Sequence, residues 1–211
     1  MMKMEGIITP IVTPFHRDAE QSINYEATEK LINHLIEHGV KGIFILGSNG
    51  EFHVIDEDEK IEMTKRVVEI VNKRVPVYVE PDAALPRATV RLSQKVEAAG
   101  ADAIVVSNHG GRVLDQCPAT AEVLEEIAKA VKGKMKIFVD GGIRSGVDVF
   151  KALALGADGV IICRPFVTAA YGGGTDGVQL YIERIGSELA DTMAMCGANS
   201  LKEITKDMIW R

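Results

Sequence analysis

The chain of 211 residues carries a net charge of −6, is 46% hydrophobic and 26% charged, and contains 7 prolines and 3 cysteines. It is long enough to bury a substantial core, its acidic balance argues against a nucleic-acid partner, and no apolar run approaches the ~20 residues of a membrane span. Cys117, Cys163 and Cys196 are far apart and form no C-x-x-C pair, so reduced, mostly structural thiols are expected and no metal site is assigned. Met1 to Gly6 leads towards a strand and not into the apolar stretch of a signal peptide, so a cytoplasmic location is expected.

The predicted elements alternate from end to end. A first strand spans Gly6 to Val12, and a helix follows in which Leu31, Ile32, Leu35 and Ile36 share one face and end at Gly39. The second strand lies in the run from Gly39, and Asp56-Glu57-Asp58-Glu59 then opens a helix where the dipole favours acid, with Ile61, Val67, Val68 and Val71 behind it. Val75 to Val79 reads as a third strand, followed by a helix from Pro86 to just before Gly100. The fourth strand follows Gly100, and Pro118 opens a helix carrying Val123, Leu124, Ile127 and Val131. Lys136 to Gly141 is a fifth strand, Ser145 caps a fifth helix, the sixth strand follows Gly156, and Asp176 leads into a helix to about Cys196. Gly172-Gly173-Gly174 reads as the loop after the last strand.

Three segments echo each other: G-V-K-G-I-F-I-L-G-S from Gly39, G-A-D-A-I-V-V-S-N from Gly100 and G-A-D-G-V-I-I-C-R-P from Gly156. Each sets a glycine, suited to a helix C-terminus, before an apolar run of the kind buried on both faces in a parallel sheet. Six such strands alternating with helices define a parallel α/β fold, 1–211 as a single domain, either barrel-like or doubly wound.

Candidate chemistry gathers in the loops. Gly47-Ser48-Asn49-Gly50-Glu51 is a glycine-rich turn after a strand, able to aim N–H groups and the Ser48 hydroxyl at an anion, or else a tight turn with a solvated Glu51. S-N-H-G-G-R, Ser107 to Arg112, holds a histidine suited to proton transfer near neutral pH and an arginine fork suited to a carboxylate. D-G-G-I-R-S, Asp140 to Ser145, places N–H groups and Arg144 before a helix, a phosphate cradle. Taken singly, each also reads as a surface residue or a turn.

Residues 1–103, through G-I-I-T-P-I-V-T-P-F, G-S-N-G-E-F, R-V-P-V-Y-V and L-S-Q-K-V-E-A-A-G-A-D-A, resemble the dihydrodipicolinate synthase and N-acetylneuraminate lyase family. That resemblance implies a (β/α)8 barrel and a keto-acid carboxylate held at the loop of Ser48 and Asn49. Residues 104–211, through A-I-V-V-S-N-H-G-G-R, I-F-V-D-G-G-I-R-S-G and A-L-A-L-G-A-D-G-V-I-I-C-R-P, resemble the FMN-dependent α-hydroxy acid dehydrogenases and oxidases. That resemblance implies that His109 abstracts the substrate proton, Arg112 grips its carboxylate, Asp140 and Gly142 contact the flavin chain, and Arg144 and Arg164 bind the FMN phosphate, with Ser145 at the cradle. Cys163 stands where the second family has glycine, and its Cβ is expected to crowd the phosphate.

The two patterns meet at Gly100-Ala101-Asp102-Ala103, so the chain reads as two barrel fragments joined at equivalent points. The lyase family's Schiff-base lysine and tyrosine belong to later strands, which end here without lysine, so lyase activity is not expected. Glu80-Pro81-Asp82 replaces that family's small, glycine-rich loop. The flavin family's lysine beside the ring, its substrate-site tyrosines and the aspartate that pairs with its histidine belong to early strands that are replaced here. A closed barrel of this kind needs eight strands. The expected fold is therefore a TIM-barrel-like partial barrel of about six βα units, completed by a homo-oligomer, with an open doubly wound sheet as the alternative. Two functions stand open. One is an engineered or recombinant chimera that keeps a site for a phosphate-containing small molecule or FMN phosphate, weakly held, and catalyses little; the other is an FMN-dependent 2-hydroxy acid oxidoreductase.

Overall fold

The computed structural model describes residues 3–81, 86–112 and 115–210. Asp82, one of the residues departing from the lyase pattern, lies outside them. Six strands alternate with six helices: β1 (Ile8–Pro10), α1 (Tyr25–Glu37), β2 (Gly42–Ile45), α2 (Glu57–Val71), β3 (Val77–Val79), α3 (Pro86–Ala98), β4 (Ala103–Val106), α4 (Thr120–Val131), β5 (Lys136–Val139), α5 (Gly146–Ala154), β6 (Gly159–Val160) and α6 (Arg164–Cys196). The strand order follows the chain, β1 to β6. A doubly wound sheet reverses its strand order at a switch point. The absence of any reversal makes this the barrel-type progression. Among the described residues, no helix is long and apolar enough to cross a membrane.

The chain divides into two compact units, Met1–Val105 with Ala130–Lys136, and Val106–Lys129 with Ile137–Arg211. In the first unit β1 to β4 pair in parallel, with Ile8 opposite Gly42, Ile43 opposite Val77 and Tyr78 opposite Ala103. Ile43, Ile45, Val79 and Ile104 on these strands are fully buried, together with Ile32, Met63 and Val67 of α1 and α2. The continuous apolar runs are thus covered on both faces, as parallel strands require. The acidic start of α2 forms a capping box: Asp56 caps the helix and its N–H donates to Glu59 Oε2 at 3.0 Å.

Glu57, the next residue, accepts from Arg91 Nη2 at 2.8 Å and Lys95 Nζ at 2.7 Å, tying α2 to α3. Those bonds hold its carboxyl well below its ordinary 4.5, at about 2. A depressed carboxyl stabilises the fold above the unfolded pKa and loses that contribution as pH falls through the folded one. Glu57→Gln should therefore flatten the loss of thermal stability between pH 4.5 and about 2. Because Glu57 is about one-third exposed, the effect near neutrality should stay within the roughly 0.2–1 kcal/mol of a surface pair. An unchanged acid profile in melting curves would show the pair to be idle.

In the second unit β5 and β6 pair in parallel, with Phe138 opposite Gly159. Phe150 and Ala154 of α5 pack with Ala198 and Ile204 and with Leu189 and Met193 of α6. The repeat has a structural meaning that its spacing did not reveal. Asp102 Oδ2 accepts from the N–H of Val77 at 2.9 Å, and Asp158 Oδ2 accepts from Ile137 at 3.0 Å. In the G-A-D copies the aspartate thus satisfies a donor in the first two residues of the preceding strand, while Gly100 and Gly156 take the positive φ that ends the preceding helix.

Two expectations need correction. The last strand is followed not by a loop but by a helical arm beginning at Arg164, with Pro165 in its first turn, where its missing N–H costs nothing. Gly174 leaves helical geometry at φ 55, ψ −138 and divides α6 in two. The Phe166 and Tyr181 rings stand 5.0 Å apart, whereas a straight helix would separate those residues by about 22 Å, so the arms double back on each other. The long second arm is the helix expected from Asp176. The cysteines are also not core thiols: Cys117, Cys163 and Cys196 are free and exposed.

Candidate functional site

The site lies in the second unit, in the loops after β4, β5 and β6. After β4 the chain makes a tight turn, His109–Gly111, in which three successive residues take positive φ: His109 at 52°, Gly110 at 66° and Gly111 at 75°. Glycine adopts this region freely, but histidine does not. Side chains hold it there. The N–H of His109 donates to Ser107 Oγ at 3.0 Å, and the N–H of Gly110 donates to Asn108 Oδ1 at 3.0 Å. His109 is half-buried, and Arg112, ending the turn, is exposed.

Asp140 leaves β5 directly behind this turn. Its N–H donates to the Val106 carbonyl at 3.1 Å and its own carbonyl accepts from Thr120 Oγ1 at 2.6 Å. Ser107, which receives the His109 N–H, also lies close enough to the Asp140 carboxyl to favour its charged form, so the histidine and the aspartate adjoin one serine. Burial pushes the Asp140 carboxyl up, while Ser107 and the charges of His109 and Arg164 draw it back down. Its Oδ1 is buried without a hydrogen-bond partner. A buried acceptor left unmade costs about 1–3 kcal/mol, so this oxygen is suited to a donor from a ligand.

Gly141 and Gly142 follow, at φ 90° and 82°. A Cβ on Gly141 would come within 2.8 Å of Asn108 Oδ1, whereas one on Gly142 would meet nothing within 4 Å. The chain is closed on one side of this turn and open on the other. Beyond it, the expected cradle is largely taken up within the fold. Asp148 Oδ2 accepts from the N–H groups of Arg144 (3.1 Å) and Ser145 (3.0 Å) and from the Ser145 hydroxyl (2.8 Å), while Glu188 Oε2 accepts from Gly146 (2.9 Å). Tyr181 donates to the Arg144 carbonyl at 2.8 Å. Bonds from Arg184 and Gly146 hold the Glu188 carboxyl below its ordinary range, so it stays ionised there. The α5 terminus therefore carries its own anions on the N–H groups of Arg144, Ser145 and Gly146.

After β6, Cys163 caps the first arm of α6 without a side-chain bond, and Arg164 is its first residue. Arg164 Nη2 donates to the Gly110 carbonyl at 3.0 Å. The fold thus gathers His109, Asp140 and Arg164, and sets Gly142, Arg144 and Ser145 on the adjoining loop. Sequence reasoning missed Ser107, Asp148 and Glu188. A serine two residues before a histidine in a glycine-rich turn was a legible signal, because such hydroxyls bond to nearby backbone. Glu188, 42 residues beyond Gly146, gave none.

Ser48 and Asn49 lie in the first unit, exposed in a short 3₁₀ turn, Ser48–Gly50, after β2. Thr13 Oγ1 donates to the Gly50 carbonyl at 2.7 Å. A Cβ on Gly47 would stand 3.3 Å from Glu80 Oε2, and Glu80 is only 4% exposed. The loop that the lyase resemblance gives to a keto-acid carboxylate thus has a buried carboxyl group of its own beside it.

These features define a parallel α/β barrel-type fold with a cluster of polar and charged groups at the C-terminal ends of its last strands. The FMN-dependent dehydrogenase family matches residues 89–211, and the dihydrodipicolinate synthetase family matches residues 3–108. The chain belongs to both families, to the second by its N-terminal half and to the first by its C-terminal half. Its relatives include a 2-hydroxyacid oxidase of Dictyostelium discoideum, 50% identical over 53% of this chain and 29% of the relative. Another is glycolate oxidase of Spinacia oleracea, 51% identical over 52% of this chain and 30% of the relative. Among solved structures, mandelate oxidase with (S)-2-phenylpropionate superposes with a TM-score of 0.72 at 30% identity, over 92% of this chain and 59% of that one. The matched region thus spans about a third of the curated relatives, while the fold likeness extends across both halves of the chain.

Proposed function

We propose that the second unit binds FMN and that the chain oxidises a 2-hydroxy acid, with His109 as base and Arg112 as carboxylate clamp. The observation that carries this reading is the buried, unpaired Oδ1 of Asp140, set beside His109 and Arg164 and next to the open side of Gly142. A polyhydroxyl chain ending in phosphate fits those groups: a hydroxyl for Asp140, room at Gly142, and arginine charge for the phosphate. FMN, when bound, supplies the acceptor for the two electrons that leave the hydroxyl-bearing carbon. His109 takes the proton, and Arg112, three residues on, offers a planar fork to the substrate carboxylate. Of the two functions open at the level of sequence, the oxidase names of the relatives favour this one over a chimera with little catalysis.

Flavin fluorescence titration tests the reading. FMN should bind at least about tenfold tighter than riboflavin, because a charge-assisted phosphate bond is worth roughly 1.5–3 kcal/mol. Asp140→Asn should weaken both ligands alike, since the carboxylate faces the shared chain. Equal affinity for the two flavins would remove the phosphate site, and an indifferent Asp140→Asn would remove the ribityl assignment.

A further inference from the structure

The turn that carries His109 is held on its N–H side by Ser107 and Asn108, and on its carbonyl side by an arginine from a distant element. Arg164 Nη2 donates to the Gly110 carbonyl at 3.0 Å across 54 residues of sequence. The contact is close enough to explain the residue beneath it. A Cβ on Gly110 would stand 1.8 Å from Arg164 Nη2 and 2.8 Å from its Cζ, so the guanidinium lies directly against the turn. Arg164 is exposed, and packing does not fix it there. It is held by an acceptor, within the field of the Asp140 carboxylate.

We propose that Arg164 is a positioning residue for His109: it latches the histidine turn through the Gly110 carbonyl, and a phosphate that draws the guanidinium away loosens that latch. The inference rests on the proposed FMN reading for the identity of the phosphate but not for the latch itself. A neutral carbonyl and a phosphate compete for one fork. The carbonyl offers the guanidinium a single neutral acceptor, whereas a phosphate offers it an opposite charge and two parallel bonds, so the phosphate wins. His109 sits at φ 52°, a conformation that persists only while its surroundings impose it. Releasing one side of the turn must therefore be felt at the imidazole. The residue that grips the cofactor's phosphate is in this way the one that sets the base.

The test is proton NMR of the ligand-free protein, following the histidine ring signals, with His109 assigned among the 5 histidines by its loss in His109→Asn. Arg164→Ala should move the His109 signal before any ligand is added. Arg164→Lys should restore it in part, because an ammonium can still donate to the Gly110 carbonyl. Gly110→Ala, which expels the guanidinium, should shift the signal as Arg164→Ala does, and serves if that variant folds poorly. Titration with inorganic phosphate should move the His109 signal saturably in the wild-type chain and not in Arg164→Ala. A His109 signal unmoved by Arg164→Ala and Gly110→Ala, or blind to phosphate in the wild type, would overturn the proposal. The two readings fail separately. FMN that does not bind while Arg164→Ala still shifts His109 removes the FMN assignment alone; FMN that binds while His109 ignores Arg164 removes the latch alone.

Discussion

His109→Asn should slow the bleaching of the FMN-loaded chain by a 2-hydroxy acid ~10²–10⁴-fold, the usual contribution of a positioned base, while leaving FMN affinity nearly unchanged. Asparagine is the right probe because position 109 sits at φ 52°. Asparagine tolerates the left-handed region, whereas alanine or glutamine would disturb the turn and confuse loss of the base with loss of the loop. Ser107 and Arg164, which hold the turn through backbone atoms, are untouched by the change. Arg112→Lys is the companion measurement. Lysine keeps the charge but loses the planar fork, so half-saturation should rise about tenfold or more with a smaller fall in limiting rate. Stopped-flow absorbance under nitrogen separates the two effects. Bleaching by His109→Asn at the wild-type rate would remove the base, and with it the oxidoreductase reading.

The sequence made legible what periodicity and local chemistry encode. Apolar runs marked the six strands, and Gly39, Gly100 and Gly156 marked the helix ends, because a both-face-buried strand and a left-handed cap each leave a local signature. The acidic run from Asp56 was readable as a helix start and Ser145 as a cap for the same reason. The first arm of α6 was not, because the run around Gly172-Gly173-Gly174 has poor intrinsic helicity and is held by the doubled-back arm. In the site, the motifs gave the residue types but not their economy. The helix terminus expected to serve a phosphate is occupied by Asp148 and by Glu188, and only the folded chain brings Glu188 there. The lyase loop was equally readable as a motif, yet the buried Glu80 carboxyl beside Gly47 was not.

Gly146→Ala should destabilise the second unit by about 2 kcal/mol, against the direction of helix propensity. Position 146 is the first residue of α5 and is buried. There alanine would ordinarily be worth up to ~1 kcal/mol over glycine. The space forbids it: a Cβ would stand 2.2 Å from the Leu189 nitrogen, 2.6 Å from the Glu188 carbonyl carbon and 2.6 Å from the Ile185 carbonyl oxygen. All three are backbone atoms of α6, so no side chain can rotate aside and the helices must part. Overpacking of this kind costs roughly 1–3 kcal/mol and sometimes more. Parting also breaks the bond from Gly146 to Glu188 and loosens Leu189 and Met193 over Phe150. Gly186→Ala on the same helix α6 is the control. It is exposed, and a Cβ there meets nothing within 4 Å, so the intrinsic preference should prevail and stabilise the unit by ~1 kcal/mol. Thermal unfolding should therefore move in opposite directions for two identical substitutions, by roughly 4–8 °C per kcal/mol for a unit of this size. Equal shifts of one sign would mean that α5 and α6 do not meet at Gly146.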